Sequence, residues 1–281
     1  MTAGTAPRVG GEVASALRDA TGGLDDAGCE SPRLDAELLL AHALGTDRAS
    51  LVVGSRRTLG EAEARRFAAL LARRALREPV AYIVGLKGFR HLDLRVDARA
   101  LIPRPETETL VEAALDLPHG ARVVDVGTGS GAVALAVKQE RPDLHVTGTD
   151  RSGDALALAQ ENAARLGLQV DLRRADLLDG AGGSFDAVLA NLPYVAEADW
   201  PALAPEITGF EPRGALVAGE DGLQAIRRLA AQAVGAAFVA LEVGAGQAAA
   251  VGPLLREHGF EEVETRTDLA GIERVVVART R

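Results

Sequence analysis

The chain has 281 residues, 47% hydrophobic and 25% charged, enough for one large domain or two modest ones of ordinary globular composition. A formal net charge of -9 and 3% aromatic residues supply neither a dense basic surface for a phosphate backbone nor a stacking platform, so direct nucleic-acid binding is not expected. A lone cysteine (Cys29), five scattered histidines, no apolar leader and no membrane-length apolar run predict a cytoplasmic protein without disulfide, metal or membrane anchor.

From Gly11 to about Glu78 the pattern is helical, and residues 1–79 are read as a small helical bundle. In "SPRLDAELLLAHALG", Ser31 can cap, Pro32 suits the first helical position, Leu34, Leu38, Ala41 and Leu44 share a face, and Gly45 offers a left-handed stop. In "TLGEAEARRFAALLARRALRE", Thr58 and Glu61 have capping-box spacing, Phe67, Leu70 and Leu71 form an apolar side, and Pro79 ends the helix. Arg65, Arg66, Arg73, Arg74 and Arg77 read as a solvated helix surface, with a docking face as the alternative. Alternation from His91 to Val96, with glycines at 85 and 88, predicts a β-hairpin linker over 80–100.

Residues 101–281 form the next domain. From Leu110 onward, short apolar strands alternate with helical stretches, from "ARVVDVG" to "AAFVALEV", as in a parallel sheet covered by helices on both faces. Only "LAGI" separates "EEVETRTD" from "ERVVVART", which allows an antiparallel pair alone. The expected fold class is α/β: a doubly wound, mostly parallel sheet with an antiparallel C-terminal pair, preceded by the helical domain and hairpin linker.

"VVDVGTGSGAVAL" sets Gly127, Gly129 and Gly131 between a strand and a helix, where glycine permits a sharp turn and close approach of a ligand to free N–H groups. The spacing is not that of the dinucleotide fingerprint, and such a turn can be purely structural. Asp150 ends "HVTGTD", where it can accept both hydroxyls of a ribose. Asp176 ends "VDLRRAD" within reach of an adenine amino group. Either could instead be a helix cap. Together the strand ends describe a nucleoside pocket at the carboxyl edge of the sheet.

"FDAVLA" delivers "NLPY" to that same edge. The Asn191 oxygen and the Leu192 carbonyl can each accept a hydrogen from a planar –NH2 group, Pro193 stiffens the loop, and Tyr194 supplies a ring. An ordinary Asn-x-Pro turn is the competing reading. No dedicated general base is evident.

The set "DVGTGSG", "GTD", "AD" and "NLPY" resembles class I methyltransferases that bind S-adenosylmethionine, in particular those whose Asn/Asp-Pro-Pro-aromatic motif serves planar nitrogens. "REPVAYIVGLKGF", "ALIPRPETETLVE" and "FEPRGALVAGEDGL" extend the likeness over nearly the whole chain to the HemK/PrmC family of protein-glutamine methyltransferases. The resemblance implies a seven-stranded Rossmann-like sheet and an N-terminal domain for substrate recognition. It also implies methylation of the side-chain amide nitrogen of the Gly-Gly-Gln glutamine in class 1 peptide chain release factors, with S-adenosyl-L-methionine as cofactor and S-adenosyl-L-homocysteine as product, modulating translation termination.

By the same resemblance, Asp125, Gly127, Thr128, Gly129, Ser130 and Gly131 surround the methionine part of the cofactor, Asp150 holds the ribose, and Asp176 and Leu177 lie near the adenine. Asn191, Leu192, Pro193 and Tyr194 form the catalytic loop, with Asn191 also beside the cofactor, and Pro103, Arg104 and Glu106 line the substrate entrance. The chain departs from the family at Leu192, where a second proline is usual; a backbone carbonyl survives, so the amide clamp is expected to persist with a less rigid loop. "LEVGAGQ" keeps Glu242, Gly244 and Gln247 of the family pattern. The alternatives are a ribosomal-protein glutamine, the exocyclic amine of a nucleobase, or a cofactor-binding module without catalysis.

Overall fold

The computed structural model describes residues 11–281; residues 1–10, which the bundle reading of 1–79 includes, lie outside the described residues. Two compact units divide the chain, one ending at Gly85 but also claiming Ala204–Phe210, the other built from Leu86–Leu203 and Glu211–Arg281.

The first unit carries α1 (Val13–Asp26), α2 (Pro32–Leu44), α3 (Arg48–Val53), α4 (Glu61–Ala75) and α5 (Val80–Val84). Gly45 closes α2 at a φ of 64°, the left-handed stop its sequence predicts. The buried stripe of α2 is different from the predicted one. Asp35, Ala36, Leu39, Leu40 and Ala43 face inward with Ala41, while Leu34 is exposed and Leu38 and Leu44 only partly covered. The helix packs against both α1 and α4, so its covered face is broad and centres on the small residues that let neighbours approach. Helix α4 begins three residues after Thr58. Its first turn is capped by the Glu63 carboxylate, which accepts the Gly60 N–H at 2.9 Å, and Thr58 instead bridges to Glu12 in extended backbone. Pro79 does not end α4, which stops at Ala75; it introduces α5, so Val80–Val84 is helical where the hairpin was expected.

The arginine face also needs correction. Arg65 and Arg73 do lie at the surface, paired with Glu61 and Glu78. Arg74 is 5% exposed: its Nε donates to Asp35 at 2.7 Å, and its Nη2 meets Glu206 at 2.8 Å. Arg77 grips the same Glu206 through Nε and Nη2, at 2.8 and 2.7 Å. Burial alone would raise the Glu206 carboxyl, but hydrogen bonds from Arg77 and Arg74 outweigh it and hold the group well below the usual carboxylate range.

The second unit opens with a hairpin of β1 (Leu86–Phe89) and β2 (Leu92–Arg95), shorter than the predicted 80–100. A 3-10 turn, Pro105–Thr107, leads into α6 (Glu108–Ala114). Then come β3 (Arg122–Val126), α7 (Ala132–Glu140), β4 (His145–Asp150), α8 (Gly153–Leu166), β5 (Asp171–Arg174) and β6 (Ala187–Ala190). Helix α9 (Pro205–Phe210) belongs to the first unit. Helix α10 (Gln224–Gln232), β7 (Phe238–Glu242), α11 (Ala248–Glu257), β8 (Glu262–Thr267) and β9 (Glu273–Arg279) complete the chain.

The sheet has seven strands in the order β5-β4-β3-β6-β7-β9-β8. The first five are parallel, and β9 runs antiparallel to both β7 and β8, as the short "LAGI" connection requires. Val123 joins a core on one face of the sheet with Leu110 and Leu135, while Val124 and Val126 join a second core with Ile226 and Val251 on the other. Burial on both faces explains why these strands read as continuous apolar runs.

Replacing Arg74 with alanine leaves Asp35 without its buried cation and removes one of the two that hold Glu206. The expected loss is about 3 kcal/mol, read as a lower urea midpoint for the helical unit, whereas Arg65→Ala should change the midpoint little.

Candidate functional site

The strand register brings the site together. Val126 is paired with Thr149 on one side and Ala190 on the other, and Ala190 in turn with Leu241. The next residues along each strand, Gly127, Asp150, Asn191 and Glu242, therefore emerge at one carboxyl-end rim. This rim includes the β3/β6 boundary where the strand order reverses, the place open α/β sheets use for ligands.

A cavity of about 260 Å³ opens there. Of the residues singled out in the sequence, Pro103, Arg104, Asp125, Gly127, Thr128, Gly129, Ser130, Asp150, Asp176, Leu177, Asn191, Leu192 and Pro193 line it. Gly131, Glu106 and Tyr194 lie outside the lining.

The turn after β3 is held from beneath. Gly131 has a φ of 86°, and a Cβ there would stand 2.9 Å from Leu135 Cδ1, so this position shapes the turn from behind. The buried Asp125 carboxylate accepts the Thr128 hydroxyl at 2.6 Å and the Ala134 N–H at 3.1 Å, joining the turn to the start of α7. Burial pushes the Asp125 carboxyl up to about 6, against those two hydrogen bonds. Asn162 on α8 donates to the Ser130 carbonyl at 2.9 Å and exchanges two hydrogen bonds with Arg95 backbone, so turn, helix and hairpin are locked to one another.

Asp150 accepts the Gly129 N–H on Oδ2 at 3.0 Å and the Ser152 N–H on Oδ1 at 2.8 Å. Each oxygen keeps a lone pair for another donor. Asp176 lies two residues beyond the end of β5, and its Oδ2 pairs with Arg228 at 2.6 Å, which lowers its pKa. Leu177 adopts a φ of 60°, a conformation strained for leucine, and its carbonyl accepts the Thr149 hydroxyl at 3.2 Å.

On the loop after β6, Asn191 Nδ2 donates to Thr107 Oγ1 at 3.0 Å. Thr107 is itself 4% exposed. Leu192 is buried in the core shared with Val126 and Ile226, and its Cδ2 lies 3.3 Å from where a Gly127 Cβ would be. Packing thus fixes the loop where the family has a ring. Tyr194 sits over Gly244, where a Cβ would come within 3.2 Å of its Cδ2, and its carbonyl accepts the Gln247 Nε2–H at 3.0 Å. Its ring buttresses the loop from behind, and burial raises its hydroxyl pKa. Arg104 is ion-paired to the buried Glu211, whose other oxygen accepts the Ile102 N–H at 3.1 Å.

Sequence reasoning did not assign roles to Thr107, Asn162, Glu211 and Arg228, and took Glu242 only as scaffold. For Glu242 a signal existed: a carboxylate closing the apolar run "FVALE", the same placement that drew attention to Asp150. Burial raises the Glu242 carboxyl from 4.5 to about 7, a hydrogen bond from Thr107 opposing the shift. A raised native pKa means stability that is full below the unfolded value and is lost as pH rises through about 7. Glu242→Gln should therefore be more stable than the parent at alkaline pH, by up to roughly 3 kcal/mol, and close to it near acid pH, read from urea midpoints across the range.

Comparison with known proteins bears on the same residues. The chain matches the PrmC N-terminal domain over residues 15–85 and the methyltransferase small domain over 105–207. It is 41% identical over 264 residues to a release factor glutamine methyltransferase from Geobacter sulfurreducens, covering 92% of this chain and 93% of that one. It is 46% identical over 259 residues to the protein of the same name from Burkholderia pseudomallei, covering 86% and 90%. A solved methyltransferase from Pyrococcus furiosus shares the fold, with a TM-score of 0.53 at 18% identity over 77% of this chain and 98% of that one. Matched along nearly the full length of such relatives, with both of its family domains present, the chain belongs to the release factor glutamine methyltransferase family.

Proposed function

We propose that this protein transfers a methyl group from S-adenosyl-L-methionine to the side-chain amide nitrogen of the Gly-Gly-Gln glutamine in class 1 peptide chain release factors. The observation that carries the reading is the Asn191 side chain: with Nδ2 committed to Thr107, its oxygen is left as an acceptor at the cavity rim, suited to an –NH2 group.

The residues present fit the cofactor. The positive-φ turn exposes backbone without side chains, and Asp150 keeps two lone pairs for a ribose diol. Asp125 and Gly127 to Gly131 would surround its methionine part, and Asp176 and Leu177 its adenine. Bound there, S-adenosylmethionine supplies an electrophilic sulfonium methyl.

An amide nitrogen is a weak nucleophile because its lone pair is delocalised, so positioning must supply much of the rate. The Asn191 oxygen and the Leu192 carbonyl would each accept one hydrogen of the substrate amide, aiming the nitrogen at the methyl. Buried packing of Leu192 supports that clamp without a second proline. Arg104, fixed by Glu211, would help shape the substrate entrance beside Pro103 and Glu106. The helical unit would recognise the release factor. No described helix is long and apolar enough to cross a membrane, and a release factor substrate would place the reaction in the cytoplasm.

Methyl-labelled cofactor incubated with a class 1 release factor should label the intact factor and not a copy with the Gly-Gly-Gln glutamine changed to alanine. Asn191→Ala should lower turnover by about 100-fold while cofactor affinity stays near the parent value. Equal labelling of both factor copies, or near-parent turnover by Asn191→Ala, would overturn the reading.

A further inference from the structure

We propose that Gln232 and Arg228, one turn apart on α10, are positioning residues that clip the Asp176–Asp179 turn into the shape that selects an adenine base. The assignment rests on the cofactor reading, which sets the adenine beside Asp176 and Leu177, and extends it to a helix which that reading does not use.

The turn is strained. Asp176 and Asp179 exchange backbone hydrogen bonds at 3.1 Å in both directions, and Leu177 within it has a φ of 60°. A leucine in that left-handed region persists only where its surroundings over-determine it. The Thr149 hydroxyl holds the Leu177 carbonyl, and the other side-chain contacts come from α10. Gln232 Oε1 accepts the Leu178 N–H at 2.9 Å, and its Nε2 donates to Asp179 Oδ2 at 2.9 Å. Arg228 Nη2 donates to Asp176 Oδ2 at 2.6 Å. Residues four apart share a helix face, so one face of α10 grips the turn at both ends and in the middle. The same helix lends Ala225 and Arg228 to the cavity wall.

These contacts set an acceptor beside a donor. With Oδ2 held by Arg228, Asp176 Oδ1 has no partner among the described residues. The N–H groups of Asp176, Leu178 and Asp179 are bonded, and that of Leu177 alone has no acceptor among the described residues. Both Asp176 and Leu177 line the cavity. A carboxylate oxygen next to a free N–H matches the edge of adenine, where an amino donor adjoins a ring-nitrogen acceptor. Hypoxanthine presents a carbonyl and a ring N–H there, the opposite polarity. The Asp176–Arg228 pair is about half exposed, and such pairs contribute little stability, so what this one fixes is the direction of the carboxylate. Gln232 is equally committed: its amide cannot turn over without setting donor against donor at Leu178.

The test reads ligand binding to the full-length protein, without release factor. The parent should bind S-adenosyl-L-homocysteine roughly 100-fold more tightly than S-inosyl-L-homocysteine, the discrimination expected when two adjacent hydrogen bonds are reversed. Gln232→Glu keeps the acceptor for Leu178 but sets a carboxylate against Asp179. It should cut affinity for S-adenosyl-L-homocysteine about 10-fold and lower the ratio between the two ligands toward roughly 10. Adding Asp179→Asn returns a donor to that contact and should restore both values. Arg228→Ala should lower the ratio in the same direction, with a urea midpoint near that of the parent. A merely structural defect would weaken both ligands alike and leave the ratio unchanged. A parent ratio in both Gln232→Glu and Arg228→Ala would therefore overturn the clip and leave the adenine placement standing. A parent that binds the two ligands equally would overturn the adenine placement, and the clip with it. Neither result depends on the release factor assignment.

Discussion

The pairing of β3 with β4 on one side and β6 on the other governs this molecule. Side chains alternate between sheet faces with a period of two, so a slip of one residue in either ladder would exchange the two cores and scatter the rim. In the observed register, four neighbouring strand exits bring four groups to one edge: the bare backbone turn at Gly127, the Asp150 carboxylate, the Asn191 carboxamide and the buried Glu242 carboxyl. Each is delivered by a buried strand, which gives the rim the rigidity that in-line transfer demands.

Carboxylates around the site are treated in two ways. Asp150 and Glu211 accept backbone N–H groups, and Glu211 holds an arginine as well. Asp125, despite its two hydrogen bonds, and Glu242 are buried deeply enough that both are pushed toward neutrality. Natural sites commonly trade stability for function in this way. The strained Leu177 backbone, in the wall of the same cavity, is a further departure of that kind.

Much of this was legible in the sequence because it depends on local signals. The alternation of apolar strands with helices predicted the sheet, the four residues "LAGI" predicted the antiparallel end, and glycines, acids and "NLPY" at strand ends marked the rim. What escaped depends on distant partners. Asp35 and Arg74 are an unremarkable acid and base until α2 and α4 pack together, and then both are buried. The inward stripe of α2 could not be read from its leucines, because two neighbouring helices decide which side is covered. Tyr194 looked like a platform for a flat ligand, yet the absence of a side chain at Gly244 draws its ring behind the loop. Thr107 carries no local mark, since its partner Asn191 lies far away in sequence on the loop after β6.

The helical unit is discontinuous in sequence, for it borrows α9 from the stretch that follows the "NLPY" loop. The buried Arg74 and the half-buried Arg77 have Glu206 of that borrowed helix as their common counter-charge. A fragment cut at Gly85 would consequently leave buried Arg74 with Asp35 alone and Arg77 without its carboxylate partner. The helical unit therefore cannot be exchanged between relatives as a simple N-terminal cassette; a working chimera would have to transplant the Ala204–Phe210 segment along with it.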